Sequence, residues 1–247
     1  MKKKNVFFSI ALLSIVSLTL LSLKKPAVEP KDFIGAWAYG EPQNKTVMTV
    51  ADHVFAVAQY DLPGKKLLHS YGGTWRIEGN KLIQKMEWDS KDSSQVGKEI
   101  TEEIQLSKNS LAIKKGVWNR LDDGGPGALQ GVWIITGSYS NDKVSKRPSP
   151  FYPRRTMKVL SGKTFHWVAY NVGTKTFMNA GGGTYTTNNG KYTENIEFFT
   201  KTPESVGKSL TFDYSFVDGD WRHRGEKSTG GAMDECWSKR ATLEKAF

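Results

Sequence analysis

The chain has 247 residues, 24% of them charged and 12% aromatic, with one cysteine and a formal charge of +10. The lone Cys236 excludes an internal disulfide, and its plain reading is a small buried apolar residue rather than a nucleophile. Five positive charges are Lys2, Lys3, Lys4, Lys24 and Lys25; without residues 1–27 the charge falls to +5, which excludes a nucleic-acid footprint.

The N-terminus opens with those first three lysines, continues with an uncharged, mostly apolar run from Val6 to Leu23, and ends at Lys24-Lys25-Pro26. This is the pattern of an export signal, or of a retained membrane anchor, over residues 1–27. No small-x-small cleavage site stands out, and nothing later in the chain is apolar enough to cross a membrane as a helix. Localisation is therefore expected to be exported, periplasmic or extracellular, with membrane attachment only through that segment if it is uncleaved.

Beyond a tether at 24–32, the chain is a duplication. Phe55 to Lys115 aligns with Phe165 to Gly225 at one ungapped spacing of 110, matching Tyr60 with Tyr170, Gly72-Gly73-Thr74 with Gly182-Gly183-Thr184, and Glu87 with Glu197. Asp122-Asp123-Gly124-Gly125-Pro126-Gly127 is the strongest breaker cluster, so the expected domains are 33–122 and 129–240.

Both copies carry a period of two. Met48 and Val50 alternate with Val47 and Thr49, Met157 and Val159 with Thr156 and Lys158, and Leu210, Phe212, Tyr214 and Phe216 with Thr211, Asp213 and Ser215. In copy one Ile100, Ile104 and Leu106 hold the corresponding face, with Glu102 interrupting it. Turn signals such as Asn188-Asn189-Gly190 and Asp218-Gly219-Asp220 bound short strands, and no segment after residue 25 keeps a helical period. The expected class is all-β, with seven or eight strands per copy closed into barrels that leave no exposed edge. The glycine pairs predict strand bends, because no helix follows them to bind phosphate.

Each copy starts with Gly-x-Trp (Gly35-Ala36-Trp37, Gly131-Val132-Trp133) and ends with Trp followed shortly by Arg (Trp118-Asn119-Arg120, Trp237-Ser238-Lys239-Arg240). On these residues the chain resembles the lipocalin-like (calycin) barrels. Copy two, with Gly181-Gly182-Gly183-Thr184-Tyr185 and Tyr192 to Phe199, is also similar to exported bacterial lipocalin-like proteins without a settled function. The resemblance implies two tandem antiparallel barrels, each plugged by a tryptophan under a cation: Trp37 with Arg120, and Trp133 with Arg240. It supplies no catalytic residues. A long C-terminal helix, present in lipocalins proper, is absent from the sequence pattern.

Ligand-contact candidates cluster in copy two. The connection from Gly137 to Arg155 is longer than its counterpart in copy one and carries Tyr139, Arg154 and Arg155, a composition suited to an acidic or planar ligand; the plainer alternative is a solvated basic loop against the other domain. A second insertion runs from Gly225 to Met233. Phe165 and Trp167 share one strand face and His166 and Tyr170 the other, so Phe165, Trp167, Tyr170 and Tyr214 either line a cavity or fill it. His223 shares a face with Trp221 and is the histidine best placed to enter the barrel. Copy one is expected to be filled by its own side chains.

No metal-ligand spacing or nucleophile motif is present, so neither metal nor cofactor is expected. The leading expectation is a non-enzymatic protein binding a small apolar or acidic ligand in barrel two, with no nucleic-acid partner and no protein partner identified. The alternatives are an assembly module contacting a partner through exposed aromatics, or an enzyme acting on a sugar or lipid. The enzyme would need His223, Glu197, Tyr170 or Asp213 gathered in one buried cluster.

Overall fold

The computed structural model describes residues 28–114, 116–148, 152–228 and 230–245, so the segment expected to be a signal or anchor lies outside the described residues. Two nine-stranded antiparallel sheets, one per repeat, dominate it. No helix among the described residues is long and apolar enough to cross a membrane.

A helical turn, α1 (Pro30–Phe33), leads into the first sheet. Its strands are β1 (Gly35–Tyr39), β2 (Lys45–Ala51), β3 (Val54–Asp61), β4 (Lys66–Glu78), β5 (Lys81–Asp89), β6 (Glu99–Glu103), β7 (Gln105–Leu106), β8 (Ser110–Ile113) and β9 (Gly116–Asp122). They pair in the order β6-β5-β4-β3-β2-β1-β9-β8-β7. The two edges, β6 and β7, are separated in the chain by Ile104 alone, so the sheet must wrap round until one bent segment serves both sides. Ile104 is 2% exposed, so this bend buries an apolar side chain.

The second sheet comprises β10 (Gly131–Ser140), β11 (Lys143–Lys146), β12 (Arg154–Leu160), β13 (Thr164–Asn171), β14 (Thr176–Asn188), β15 (Lys191–Phe199), β16 (Ser209–Val217), β17 (Asp220–Glu226) and β18 (Ala232–Lys239). Pairing of β10 with β18 closes the cylinder. Tight hairpins join the strands where the sequence offers residues tolerant of positive φ, as at Asn189-Gly190 (47° and 74°) and Asp218-Gly219 (52° and 83°). The Gly137–Arg155 segment is largely not a loop: β10 runs past the barrel and pairs with β11 as a hairpin.

The glycine pairs sit at β-bulges between Gly72 and Gly73 and between Gly182 and Gly183. A Cβ on Gly72 would lie 2.4 Å from the Trp88 ring, and one on Gly182 would lie 2.6 Å from the Phe198 ring. Only glycine lets these rings cross the bulge.

Each barrel has its own interior core, but a third apolar cluster lies between the barrels. It joins Val47, Ala56, Ala58, Tyr60 and Trp88 of the first to Met157, Val159, Val168, Tyr170 and Phe198 of the second. Its outer face on β12 is Met157 and Val159, which follow Val47 and Thr49 at the 110 spacing. The alternation therefore aligns one residue away from the expected match with Met48 and Val50: Lys158 takes the place of Met48 and points inward.

The interface is reciprocal. Tyr170 donates to Glu87 at 2.6 Å, and its repeat mate Tyr60 donates to Glu197. Lys45 bonds Glu197 at 2.8 Å, and its mate Arg155 approaches Glu87 at 3.4 Å. Tyr60 stacks on Phe198 at 5.0 Å, and Tyr170 packs on Trp88 at 5.1 Å. This is the self-complementary contact pattern of a two-fold dimer, built within one chain.

The plugs differ between copies. Arg120 lies 3.9 Å from the Trp37 ring centroid and donates to the Ile34, Asp32 and Lys108 carbonyls. Over Trp133 the cation is Lys239, at 4.8 Å, rather than the expected Arg240. Arg240 begins helix α2 (Arg240–Lys245) and forms a two-pronged ion pair with Glu87 at 2.6 and 2.9 Å. The helical turn at 240 swings the guanidinium out of β18's register and into the interface.

Candidate functional site

The interior of the second barrel holds ionisable groups at positions where the first has residues that do not ionise. Lys158, Glu194 and His223 replace Met48, Gln84 and Ile113 at the 110 spacing, and Glu235 replaces Gly116 at the spacing of 119 that relates Trp237 to Trp118. β12, β15, β17 and β18 supply these four side chains, all inward by strand alternation. They line a cavity of about 350 Å³ with Trp167, Phe199, Leu210, Phe212, Met233 and Trp237.

Lys158 is 4% exposed and donates to Glu194 at 2.6 Å; Tyr192 donates to the same oxygen at 2.8 Å. The ammonium also lies 4.9, 5.2 and 5.5 Å from the Tyr192, Trp221 and Trp237 ring centroids. Burying an ion pair costs desolvation that the pairing must offset, so carboxylate, hydroxyl and three aromatic faces are needed to hold this ammonium. Tyr192's own proton is held far above its ordinary range by burial and by the Glu194 charge.

His223 is 2% exposed, and burial followed by the Lys158 charge pushes its pKa down to about 4. It is neutral at pH 7. Nδ1 faces Glu235 at 3.4 Å, so the proton belongs there and Nε2 is left as an acceptor. Nε2 has no hydrogen-bond partner among the described residues. Burial opposes ionisation of Glu235, but the His223 hydrogen bond, the Lys158 charge and the Trp237 indole N–H (2.9 Å) together keep its pKa below the usual carboxylate range.

Lys201 and Lys227 stand at the rim. Lys201 lies 5.1 Å from the Trp167 ring, and neither lysine has an ion pair among the described residues. Outside the rim, a wider cleft of about 630 Å³ runs under the β10–β11 hairpin and shares Lys227, Met233 and Glu235 with the cavity. The insertion from Gly225 to Met233 thus frames the mouth.

Of the sequence candidates, Trp167 and His223 line this cavity. Phe165 packs in the core below it, edge-on against Tyr192 at 6.5 Å, and Tyr214 is half-buried against the same core. Tyr139 lies in the outer cleft under Arg222, whose guanidinium is 4.5 Å from its ring. Arg154 is exposed at the start of β12. Tyr170 and Arg155 are corrections: both meet Glu87 in the inter-barrel interface, because β12 and β13 turn those residues outward. The enzyme cluster does not assemble. Glu197 and Tyr170 bind different interface partners, and Asp213 is exposed beside Lys191. Cys236 is fully buried. Among the described residues no group of three or more His, Cys, Asp and Glu side chains could hold a metal.

Lys158, Glu194 and Glu235 are site residues that strand periodicity does not single out. The 110 and 119 spacings contain the signal, since they align each charge with an uncharged residue of copy one. The first barrel is also not filled, contrary to expectation: a cavity of about 290 Å³ occupies the matching position.

The fold and cavity define an all-β protein of two fused barrels. Residues 128–245, the second barrel with α2, match the family described as Domain of unknown function (DUF4488). No curated protein matches the chain.

Proposed function

We propose that the chain is an exported, lipocalin-like, non-enzymatic binding protein whose second barrel holds a small amphipathic molecule with an acidic group. The observation that carries this reading is the cavity of about 350 Å³ walled by Trp167, Phe199 and Trp237 and rimmed by Lys201 and Lys227. Apolar walls with a few converging polar groups are what small-molecule sites share. The Lys158–Glu194 pair is internally neutralised, so an acidic head is attracted by the rim lysines while its apolar body enters between the rings. His223 Nε2 offers one further acceptor for a ligand hydroxyl. The lysine-led, apolar segment at 1–27 supports export, and the Gly-x-Trp plugs support the lipocalin-like assignment.

Decanoate and decanol, titrated calorimetrically into the full chain, test the reading. Decanoate binds more tightly than decanol, and the Lys201→Met/Lys227→Met variant weakens decanoate by about three- to tenfold, as expected for two exposed charge contacts. Equal binding of acid and alcohol, unaffected by the variant, contradicts it.

A further inference from the structure

We propose that the first barrel is a second, separate binding site, selective for a neutral molecule with an apolar body and one hydrogen-bond-accepting oxygen. This goes beyond the reading of barrel two and does not depend on it.

The site is the cavity of about 290 Å³ whose apolar lining includes Met48, Val57, Met86 and Ile113. Its volume lies near the lower end of the range for ligand sites, about 300–1,000 Å³. Two interior polar groups there have no partner for their side chains. Trp118 is 1% exposed and its indole N–H is unbonded among the described residues. Gln84 is 7% exposed and makes no side-chain hydrogen bond among them. In barrel two the corresponding groups are satisfied: Trp237 donates to Glu235, and Glu194 accepts from Lys158 and Tyr192. Gly116 in place of Glu235 removes the indole's acceptor, and Met48 in place of Lys158 removes the ammonium.

Two other buried indoles, Trp75 and Trp221, also lack a partner, but Trp118 is the one that lines this cavity. A buried donor without a partner is costly, and a ligand oxygen would relieve it. A ketone, ester or ether oxygen suits an indole N–H and a carboxamide. A carboxylate does not suit the site, because its lining holds Asp89, Asp92 and Glu102 against Lys91, and His69 is already bonded to Asp89 at 2.8 Å. The two interiors have therefore diverged since duplication: Trp237 has Glu235 as its acceptor, whereas Trp118 is left for a neutral acceptor from outside.

The test is an NMR titration of the full chain, reading indole N–H signals, with 2-nonanone and nonanoate as probes. The Trp118 signal, assigned by its loss in Trp118→Phe, moves with the ketone and not with nonanoate. Trp118→Phe weakens ketone binding by about two- to tenfold, the worth of one net hydrogen bond. Val57→Trp, which installs the residue found at 167, abolishes the ketone response while the Trp237 signal stays in place. Gln84→Leu weakens the ketone to a similar degree and serves if Trp118→Phe does not fold. An unmoved Trp118 signal, equal binding of ketone and nonanoate in this barrel, or an unchanged ketone affinity in Trp118→Phe and Gln84→Leu would overturn the proposal.

Discussion

The Tyr170 hydroxyl of the second barrel donates to Glu87 of the first at 2.6 Å, and 110 residues earlier Tyr60 donates back to Glu197. Each barrel thus supplies both halves of the same contact. Glu87 adds the two-pronged pair with Arg240 and is the more buried of the two, at 14% side-chain exposure against 22%. Burial opposes its ionisation, yet Arg240 and then Arg155 hold its pKa below the usual range.

Glu87→Gln is expected to cost about 3 kcal/mol, because it removes the buried carboxylate that Arg240 and Arg155 share and leaves Arg240 to the more exposed Glu244. Glu197→Gln, facing a lysine that is 27% exposed, is expected to cost about 1 kcal/mol. Urea midpoints of the two variants check the order. Equal losses would mean that Arg240 contributes nothing to the asymmetry.

The apolar cluster shared by the barrels predicts that they unfold together. Tryptophan fluorescence and far-ultraviolet circular dichroism should trace one coincident urea transition for the full chain. Two separated transitions would show that the interface is too weak to couple the halves.

Acid should loosen the fold through its two buried histidines. Burial holds His166 down to about 3 and His223 to about 4, against 6.5 for the free group. The unfolded chain therefore binds protons first, so stability is complete above pH 6.5 and falls as pH drops toward 4. Each histidine contributes a slope of about 1.4 kcal/mol per pH unit within that window. His166 sits in the interface, 3.2 Å from the Ser70 hydroxyl. His166→Gln should flatten the dependence of stability on pH between 6 and 4.5 by about one proton's worth. An unaltered slope would place the acid sensitivity elsewhere.

The two plugs should differ in strength. Arg120 stacks at 3.9 Å and ties three carbonyls, whereas Lys239 sits at 4.8 Å and donates to the Gln130 carbonyl at 2.8 Å. Arg120→Ala is expected to cost about 2–3 kcal/mol and Lys239→Ala about 1 kcal/mol, the combined worth of each cation's hydrogen bonds and its stacking on the indole. Thermal unfolding of the pair decides it, and a larger loss at Lys239 would refute the assignment.

Strand periodicity and the duplication are enough to make the all-β class and two barrels legible, because hairpin turns and period-two runs are local properties. The interface is not legible in the same way, although its sign is present: β3 runs Val54-Phe55-Ala56-Val57-Ala58 with no polar alternation, as a strand buried on both faces does. Alternation puts His166 and Tyr170 on the face opposite Phe165, but nothing local tells whether that face meets water or a second barrel. The charged interior of barrel two is hidden for a related reason. A lysine between two apolar residues reads as outward-facing, and Lys158 is inward only because Met157 and Val159 are needed between the barrels.

Native mass spectrometry of the full chain with bound decanoate, in wild type and in Met233→Trp, bears on the second cavity with the fewest intermediate steps, because the indole at 233 fills its mouth. One decanoate adduct is expected in wild type, lost in Met233→Trp and retained in Val57→Trp. An adduct that survives Met233→Trp would mean that the acid binds elsewhere, and the ligand site assigned to barrel two would be wrong.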